Sequence, residues 1–477
     1  MPHSFRSPPL PTNGNALAAT LSAPTTVLKN ALTHYHAELG QALAVLEHHH
    51  AAGEALSPAF RLPEPSPALT EFFSASDIAV TELPRYRGHR LRLLDLMRNP
   101  ATRTTKTLAS LTIVARAVRH IAETGDRIMI VTPSSANKAT ALRDAVHRAI
   151  ASGLVTAGRL QITSVVPGGS TGKLWSSPLS EDASLRRRNP LVVHECAEPA
   201  SVKDLATAFA TGHAERLHRQ HGVRVWYTLG LDNYRAADMV RAFAERDLLP
   251  ADQSARTHVH SVSSAFGLLG HHLGHQIIAQ DGRSAPPRAR YFLVQHLGTP
   301  DMVLSLRHGT HDRAELPAYE MDPTTGLYRQ DQDPHFPATT YDPDEHLDPT
   351  FYTRRPVTSA QMDPIIAAQG GGGIVVSLQE CISRYGEVRA LLSDADVALP
   401  ADPRRLREWS LVMAVTGTLN AADRGLLPDS EDVLVHGSGS YSEQDYRPLP
   451  AGHRLAAADV EELAAHIEEA VRAADGR

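Results

Sequence analysis

The residue with the clearest chemical potential in this 477-residue chain is a lysine, Lys106, at the start of a predicted helix. Only five of the 47 Lys and Arg residues are lysines, so a lysine beside an apolar stretch calls for a chemical reason. Lys106 follows a strand-like run from Leu91, an Asn99-Pro100 pair and a threonine-rich turn. Partial desolvation there lowers the pKa of an amine and keeps it nucleophilic toward a carbonyl. The pattern therefore predicts Schiff-base chemistry at Lys106.

A second turn of the same kind follows one strand later. A predicted strand that ends near Val131 runs through Ser134, Ser135 and Asn137 directly into a helix. In parallel α/β sheets such turns gather at the carboxyl edge, and the N–H groups of helix N-termini bind anions there. We expect the two turns to face a single ligand site.

Two C-terminal segments show the same sequence of a strand followed by polar groups. A tetraglycine at residues 370–373 opens a predicted strand that ends at Ser377, and a helix follows it. Residues 411–428 predict a further helix and turn, and residues 431–439 predict a last strand that ends in His436, Gly437, Ser438 and Gly439.

Taken in order, these segments resemble the fold-type II pyridoxal-phosphate (PLP) enzymes, and among them threonine synthase. That family typically has N-P-T-G-S-F-K-D where this chain has the turn ending at Lys106, and S-S-G-N where it has residues 134–137. The resemblance covers about residues 80–140 and 285–445, in the same order along the chain. It implies a two-domain α/β fold with parallel sheets and helices on both faces.

The resemblance also implies a role for each motif. Lys106 would hold the PLP aldehyde as an aldimine, and the Asn137 amide would donate to the phenolate oxygen of the cofactor. Ser438 would contact the pyridine nitrogen, with His436 as the alternative. The remaining assignments are Gly298 and Thr299 for the cofactor phosphate, with the tetraglycine as an alternative, and Thr105, Ser134 and Ser135 for the substrate.

The implied function is a PLP-dependent lyase or transferase that acts on a small amino acid by β- or γ-elimination or replacement. Thr105 and Thr107 stand where the family has Phe and Asp beside the lysine. That departure weakens the case for the threonine synthase reaction itself. The atypical loops and the long insertion favour a specialised biosynthetic substrate over homoserine phosphate. The family also implies a homodimer.

Two other interpretations stay open at this point. The chain could be a non-catalytic relative that keeps the fold as a partner-binding module. His271 and His275 share a helix face at i, i+4 and could bind the metal of a hydrolase, although no catalytic glutamate accompanies them in sequence, and we expect no resident metal. The run at residues 167–174 lacks the spacing of a nucleotide P-loop.

The composition of the chain and its hydrophobic pattern predict the strands and helices that position these residues. Hydrophobic residues make up 42% and charged residues 21%, and the net charge is -6, so the chain should fold and lacks a basic field for nucleic acid. Two cysteines favour a reducing, cytoplasmic location, and no apolar run reaches membrane-spanning length. Short apolar runs alternate with amphipathic helical patterns after Leu83, which predicts α/β layers around a largely parallel sheet.

We expect four regions along the chain. Residues 1–80 form a tail and a helical extension, with the first 25 residues as a loose tail. Residues 81–106 and 250–477 form a large PLP-binding domain, and residues 107–249 form a smaller inserted domain. Residues 307–365 lose apolar periodicity and are rich in His, Asp, Pro, Thr and Tyr, which indicates a loop insertion or lid.

Overall fold

The computed structural model describes residues 25–48, 56–196, 198–228, 230, 232–250, 255–282, 287–348, 353–427 and 432–475. The predicted N-terminal tail thus lies almost wholly outside the described residues.

The described chain alternates strands and helices from end to end. The strands are β1 (Thr26–Leu28), β2 (Ile78–Glu82), β3 (Arg90–Asp95), β4 (Arg127–Pro133), β5 (Leu160–Pro167), β6 (Leu191–His194), β7 (Val223–Tyr227), β8 (Ala255–Ser261), β9 (Arg288–His296), β10 (Glu320–Met321), β11 (Tyr328–Arg329), β12 (Thr339–Thr340), β13 (Gly371–Val376), β14 (Leu406–Glu408), β15 (Asp432–Gly437), β16 (Tyr441–Ser442) and β17 (Leu455–Ala456). The helices are α1 (Ala31–His34), α2 (His36–Glu47), α3 (Pro67–Phe73), α4 (Lys106–Thr124), α5 (Asn137–Ala151), α6 (Pro178–Glu181), α7 (Ala183–Arg188), α8 (Ser201–Gly212), α9 (Ala214–His221), α10 (Asp232–Asp238), α11 (Val240–Leu248), α12 (Phe266–Gln280), α13 (Asp301–His308), α14 (Ser359–Gln369), α15 (Leu378–Ser393), α16 (Ser410–Asp423) and α17 (Val460–Ala474).

The larger sheet has seven strands in the order β1-β2-β3-β15-β8-β9-β13. Its five strands from β3 to β13 are parallel, while β1 and β2 add an antiparallel edge. The carboxyl ends of β3, β8 and β15 therefore lie side by side, and each of them leads into a turn that carries polar residues. This confirms the predicted α/β class with parallel sheets.

The smaller sheet has five parallel strands in the order β17-β6-β5-β4-β7. Its outer strand, β17, comes from the far C-terminus, and α17 packs against α7 and α8 on the same unit. The predicted division placed residues 250–477 together, and the structure differs for this last segment. The apolar face of α17, with Leu463, Ile467 and Val471 buried, covers the smaller sheet.

Helix α4 positions Lys106 because it is buried along most of its length, against α5 and α10. The turn before it is held by Asn99, whose side-chain oxygen accepts from the N–H of Ala101 at 3.1 Å. The amide nitrogen of Asn99 donates to Asp144 of α5 at 2.9 Å. The Asn-Pro pair of the sequence is thus an anchored turn that presents the first residue of α4.

Residues 307–365 contain more regular structure than the sequence indicates. Three two-residue strands, β10, β11 and β12, form a small antiparallel sheet, and α14 begins at Ser359. Phe336 from this region is fully buried in an apolar cluster, which holds the insertion against α13 and α14. None of the helices in the described part of the chain has the length and apolar content needed to cross a membrane.

Candidate active site

A cavity of about 460 Å³ lies between the two sheets, at the carboxyl ends of their strands. Its walls are the turn before α4, the start of α5, the loop after β8, the end of β15, and residues 353–358 from the insertion. The cavity thus brings together the turns that the sequence assigned to one ligand site. Of the predicted site residues, Thr105, Lys106, Ser134, Ser135, Asn137, His436 and Ser438 line it.

Lys106 projects into this cavity from the first residue of α4. The backbone N–H of Thr105 donates to the carbonyl of Ser438 at 2.9 Å, which ties the lysine turn to the end of β15. The ammonium nitrogen lies 5.3 Å from the centre of the Tyr234 ring. Among the described residues, no hydrogen bond or ion pair holds that nitrogen. Burial, opposed by Asp238 and reinforced by Arg241, holds the pKa of Lys106 below its usual value.

Asn137, the first residue of α5, has its amide orientation set by two neighbours. Its nitrogen donates to a Glu408 carboxylate oxygen at 2.6 Å, and its oxygen accepts from the Tyr441 hydroxyl at 2.6 Å. An amide nitrogen has two hydrogens, so one remains for a ligand in the cavity. The structure therefore places Asn137 in the cavity wall and adds two partners that the sequence did not indicate.

Glu408 belongs to a buried ion-pair network behind Asn137. The ammonium of Lys173 lies 2.8 Å from Glu408 and 2.9 Å from Asp348, and all three side chains are almost fully buried. Burial alone would lower the pKa of Lys173, but the two carboxylates outweigh it and the pKa is raised. Lys173 ends the glycine-rich run that superficially matches a nucleotide-binding loop. Its role here is to hold the residue that orients Asn137.

His436 and Ser438, the two alternatives at the end of β15, differ in what they can offer a ligand. Arg241 can only donate, so Nδ1 of His436 accepts from it, over 3.2 Å. Nε2 of His436 then donates to Nδ1 of His258 at 3.0 Å. Both ring nitrogens are thus engaged. The Ser438 hydroxyl bonds only to the Ser261 hydroxyl, at 2.8 Å, among the described residues, which favours Ser438 as the ligand contact.

The two serines before Asn137 have different surroundings. The Ser134 hydroxyl accepts from the N–H groups of Ala136 and Ala139, at 3.1 and 2.9 Å, and so caps α5. Ser135 is partly exposed in the cavity wall. Ala136 has a φ of 131°, in the region that favours glycine. It occupies the position at which the resembling family has glycine in S-S-G-N.

Gly298 and Thr299, predicted for the cofactor phosphate, do not line the cavity. They follow β9, where the N–H of Gly298 donates to Nδ1 of His296 at 3.1 Å and the Thr299 hydroxyl bonds to Nε2 at 2.9 Å. The Gly298 N–H and the Thr299 hydroxyl thus both already have a hydrogen-bond partner in the His296 imidazole. The tetraglycine is also excluded from the cavity wall, because residues 371–373 belong to β13 and pair with β9 at the sheet edge.

The loop between β8 and α12 lines the cavity, whereas Gly298 does not. The end of β8, residues 262–265 and the first residues of α12 line the cavity, and this stretch includes three serines, Ser261, Ser263 and Ser264. The first N–H groups of a helix have no intrahelical acceptor, and α12 has 15 residues. At Gly267 a Cβ would lie 2.9 Å from the Arg241 guanidinium, so the glycine admits that cation beside the helix start. Together these groups form an anion-binding corner.

The cavity concentrates positive charge. Three of the five lysines in the chain line it, namely Lys106, Lys138 and Lys203, together with Arg241 and the lone acid Asp238 on that side of the wall. Burial and the charges of Lys106 and Lys203 lower the pKa of Lys138 to about 7. Such a wall favours ligands that carry several negative charges.

The lowered pKa of Lys138 predicts how the free energy of unfolding depends on pH. Between pH 7 and about 10.5 the unfolded chain binds more protons at Lys138 than the folded protein does, so stability rises with pH in this window. From pH 7 to pH 9 the free energy of unfolding of the wild type should increase by about 2 kcal/mol relative to Lys138→Met. Urea unfolding at the two pH values measures this difference. Lys29→Met, at an exposed lysine, should keep the wild-type pH slope, and equal slopes in all three proteins would contradict the lowered pKa.

Solved structures with the same architecture match nearly the whole chain. The PLP-bound threonine synthase from Brucella melitensis matches with a TM-score of 0.52 at 12% identity, over 91% of this chain and 89% of that chain. Threonine synthase from yeast matches with a TM-score of 0.51 at 12% identity, over 93% and 91%. Threonine synthase from Escherichia coli gives 0.51 at 14% identity, over 90% and 87%.

These matches show the two-domain fold of the fold-type II PLP enzymes, in a divergent threonine synthase-like form. By sequence, no curated protein matches the chain. Residues 27–471 match the profile of a family that is described only as a family of unknown function, DUF6002. Since this match covers most of the chain, the protein belongs to the DUF6002 family.

Proposed function

We propose that the protein is a PLP-dependent enzyme of amino-acid metabolism in which Lys106 carries the cofactor. The observation that supports this most directly is the state of Lys106. It is an amine with a lowered pKa and no ion pair among the described residues, at the meeting point of two parallel sheets. A lysine that only stabilised the fold would have a carboxylate or carbonyl partner at such a place.

The groups around Lys106 fit each part of PLP. We assign the phosphate to the corner formed by Ser263, Ser264 and the start of α12, with Arg241 behind it. The Ser438 hydroxyl would contact the pyridine nitrogen, and the second hydrogen of the Asn137 amide would reach the phenolate oxygen. The cavity volume of about 460 Å³ leaves room for a small amino acid beside the cofactor.

The amino-acid substrate would bind at the start of α5. Ser135 and the free N–H groups of that helix end suit its carboxylate, while Ser134 caps the helix and keeps the turn in place. Residues 353–358 of the insertion form the opposite wall and would exclude water from the bound substrate. Thr105 is held by Arg241 at 3.0 Å and therefore shapes the lysine turn rather than facing the substrate freely.

When bound, PLP supplies the electron sink that makes the α-proton of an amino acid acidic. The part left to the protein is to place a base at that proton. The Lys106 amine, whose pKa is lowered by burial, would take the proton and return it, or pass it to a leaving group at the β or γ carbon. We therefore propose an elimination or replacement reaction on a small amino acid, in a specialised biosynthetic pathway.

Exchange of the α-proton tests the reaction class without knowledge of the product. The PLP-loaded protein is incubated in D₂O with a panel of amino acids that carry β or γ leaving groups, and the α-deuterium is followed by NMR. We expect exchange or elimination with at least one member. A protein that takes up no PLP, shows no visible absorbance and exchanges nothing would contradict the proposal and favour a non-catalytic relative.

Ser438 offers a prediction about cofactor affinity. Ser438→Ala removes the hydroxyl that we assign to the pyridine nitrogen, and the loss of one hydrogen bond, about 1 kcal/mol, should weaken PLP binding roughly fivefold. Fluorescence titration of the apoprotein with PLP measures the change. Thr299→Val, outside the cavity, is the matched control and should bind as the wild type does. If Thr299→Val weakens binding and Ser438→Ala does not, the phosphate and ring assignments are both wrong.

A further inference from the structure

A second cluster of ligating side chains lies beside the cavity, in the core between α11 and α12. We call Glu245, His271 and His275 the histidine–glutamate cluster. One Glu245 carboxylate oxygen, Oε2, lies 2.9 Å from Nε2 of His271 and 3.2 Å from Nε2 of His275. The three ligating atoms all lie within 4.8 Å of one another. Glu245 and His271 are fully buried, while 17% of the His275 side chain is exposed.

Two glycines bring these side chains together. Gly270 and Gly274 each precede a histidine of the cluster on α12, and they lie on the face that meets α10 and α11. A Cβ at Gly270 would lie 2.5 Å from Cβ of Asp238, and one at Gly274 would lie 2.5 Å from the carbonyl of Met239. Only glycine permits this close approach. The helix is thus seated so that His271 and His275, at i and i+4, both face Glu245.

The outward-facing atoms of the cluster also have partners. Nδ1 of His271 lies 2.9 Å from the Tyr291 hydroxyl. The other Glu245 oxygen accepts from Arg256 at 2.6 Å, and Arg256 is in turn paired with Asp432 at 2.7 Å. Metal-binding histidines and carboxylates are usually held in this way by hydrogen bonds from their far side.

We propose that the histidine–glutamate cluster binds one divalent transition-metal ion of the zinc class through two imidazoles and one carboxylate. Zinc bonds of about 2.0–2.1 Å in a tetrahedral site place the ligand atoms about 3.3 Å apart, close to the 2.9 and 3.2 Å that separate Glu245 Oε2 from the two histidine nitrogens. Each imidazole binds through Nε2 with its proton on Nδ1, where the Tyr291 oxygen accepts that of His271. Water completes the coordination from the side on which His275 is exposed.

The position of the site indicates what the ion does. It joins α11 to α12, and α12 begins at the cavity loop that we assign to the cofactor phosphate. The ion would therefore stabilise that helix start and is structural, with no part in the reaction. The neighbouring His272 differs because its Nδ1 contacts the Gln369 amide at 3.2 Å, away from Glu245. His272 therefore provides a matched control on the same helix.

Metal content of the untagged protein tests this proposal independently of activity and of PLP. After chelator treatment, competition with a chromophoric zinc chelator should reveal one tight site per chain, and Zn²⁺ should raise the melting temperature. His275→Ala should weaken the site by about 100-fold or more, whereas His272→Ala should bind as the wild type does. Wild-type protein without a stoichiometric site, or equal binding by both variants, would overturn the proposal.

Cobalt substitution covers the case in which His275→Ala does not fold. Tetrahedral Co²⁺ with nitrogen and oxygen ligands gives intense visible absorption, whereas Co²⁺ bound by surface histidines is octahedral and pale. We expect one equivalent of the tetrahedral signal in the wild-type protein. A titration that yields only the pale form would show that the cluster holds no metal, and PLP binding could still be intact.

Discussion

Replacing Lys106 with alanine should abolish covalent attachment of PLP. In the wild type, borohydride reduction followed by digestion and mass spectrometry should place the pyridoxyl group on Lys106, and the visible absorbance of the loaded protein should depend on that residue. The physical reason is that Lys106 presents its amine in the cavity without an ion pair and with a lowered pKa. Turnover should fall by about 10²–10⁴-fold or more, because the same amine is the proposed base.

Two other lysines serve as a competitor and a control in this experiment. Lys138 also lines the cavity, and the pKa of its amine is about 7. It is therefore the competitor for the aldehyde, and a label on Lys138 in the wild type would contradict our assignment. Lys29 is 75% exposed, so Lys29→Ala should keep both the label and the absorbance. A Lys106→Ala protein that looks like the wild type would remove the basis of the proposed function.

The second large effect is expected at Lys173. Lys173→Met leaves the carboxylates of Glu408 and Asp348 buried without their cation, and this should lower the free energy of unfolding by about 3–5 kcal/mol. Chemical denaturation at neutral pH measures the loss. Because Glu408 orients Asn137, the variant should also bind PLP more weakly than the wild type. A loss of stability without any change in PLP affinity would separate the network from the site.

Two further variants serve as controls for Lys173→Met: one at an exposed lysine, and one that also removes the two buried carboxylate charges. Lys29→Met breaks an exposed ion pair with Asp77 and should cost about 1 kcal/mol or less. Adding Glu408→Gln and Asp348→Asn to Lys173→Met removes the two buried carboxylate charges and should restore part of the stability. If Lys173→Met is no more destabilised than Lys29→Met, the buried network does not hold the fold together.

Local sequence patterns are sufficient to predict the lysine turn and the start of α5. Both are strand-turn-helix units with apolar strands, a turn residue such as Asn99 and a helix start, all within about 15 residues. The predicted strand that ends near Val131 corresponds to β4, and α5 begins at Asn137, at the end of the turn after which the sequence predicts a helix. The positions of Lys106 and Asn137 at the edge of a parallel sheet therefore follow from short-range patterns in the chain.

The sequence did not indicate the loop to which we assign the phosphate, because β8, the strand before it, does not have a strand-like pattern. Its five central residues, from Arg256 to His260, are all buried, yet only Val259 is apolar. Their polar groups are met by distant partners such as Glu245, Asp432 and His436, which no local pattern reveals. The next strand with an apolar pattern is β9, which precedes Gly298 and Thr299, and the sequence therefore points to those two residues.

The sequence also could not predict the ion-pair network behind Asn137, because its members are far apart in the chain. Lys173 and Glu408 are 235 positions apart, and Tyr441 is 304 positions from Asn137. Lys173 stands next to a glycine-rich run, which suggests a ligand-binding loop as long as the ion-pair partners of Lys173 are unknown. The scarcity of lysine in the sequence does indicate the site, since four of the five lysines lie in or behind the cavity wall.

The pairing of β17 with the smaller sheet changes how the two halves of the molecule can move. The chain passes from one sheet to the other between β3 and β4, returns between β7 and β8, and crosses once more between β16 and β17. Two crossings would permit a simple swivel, whereas a third tether restricts the rotation axis to one that all three segments tolerate. Deleting residues 443–477 would remove this tether together with β17 and so uncover the β6 edge.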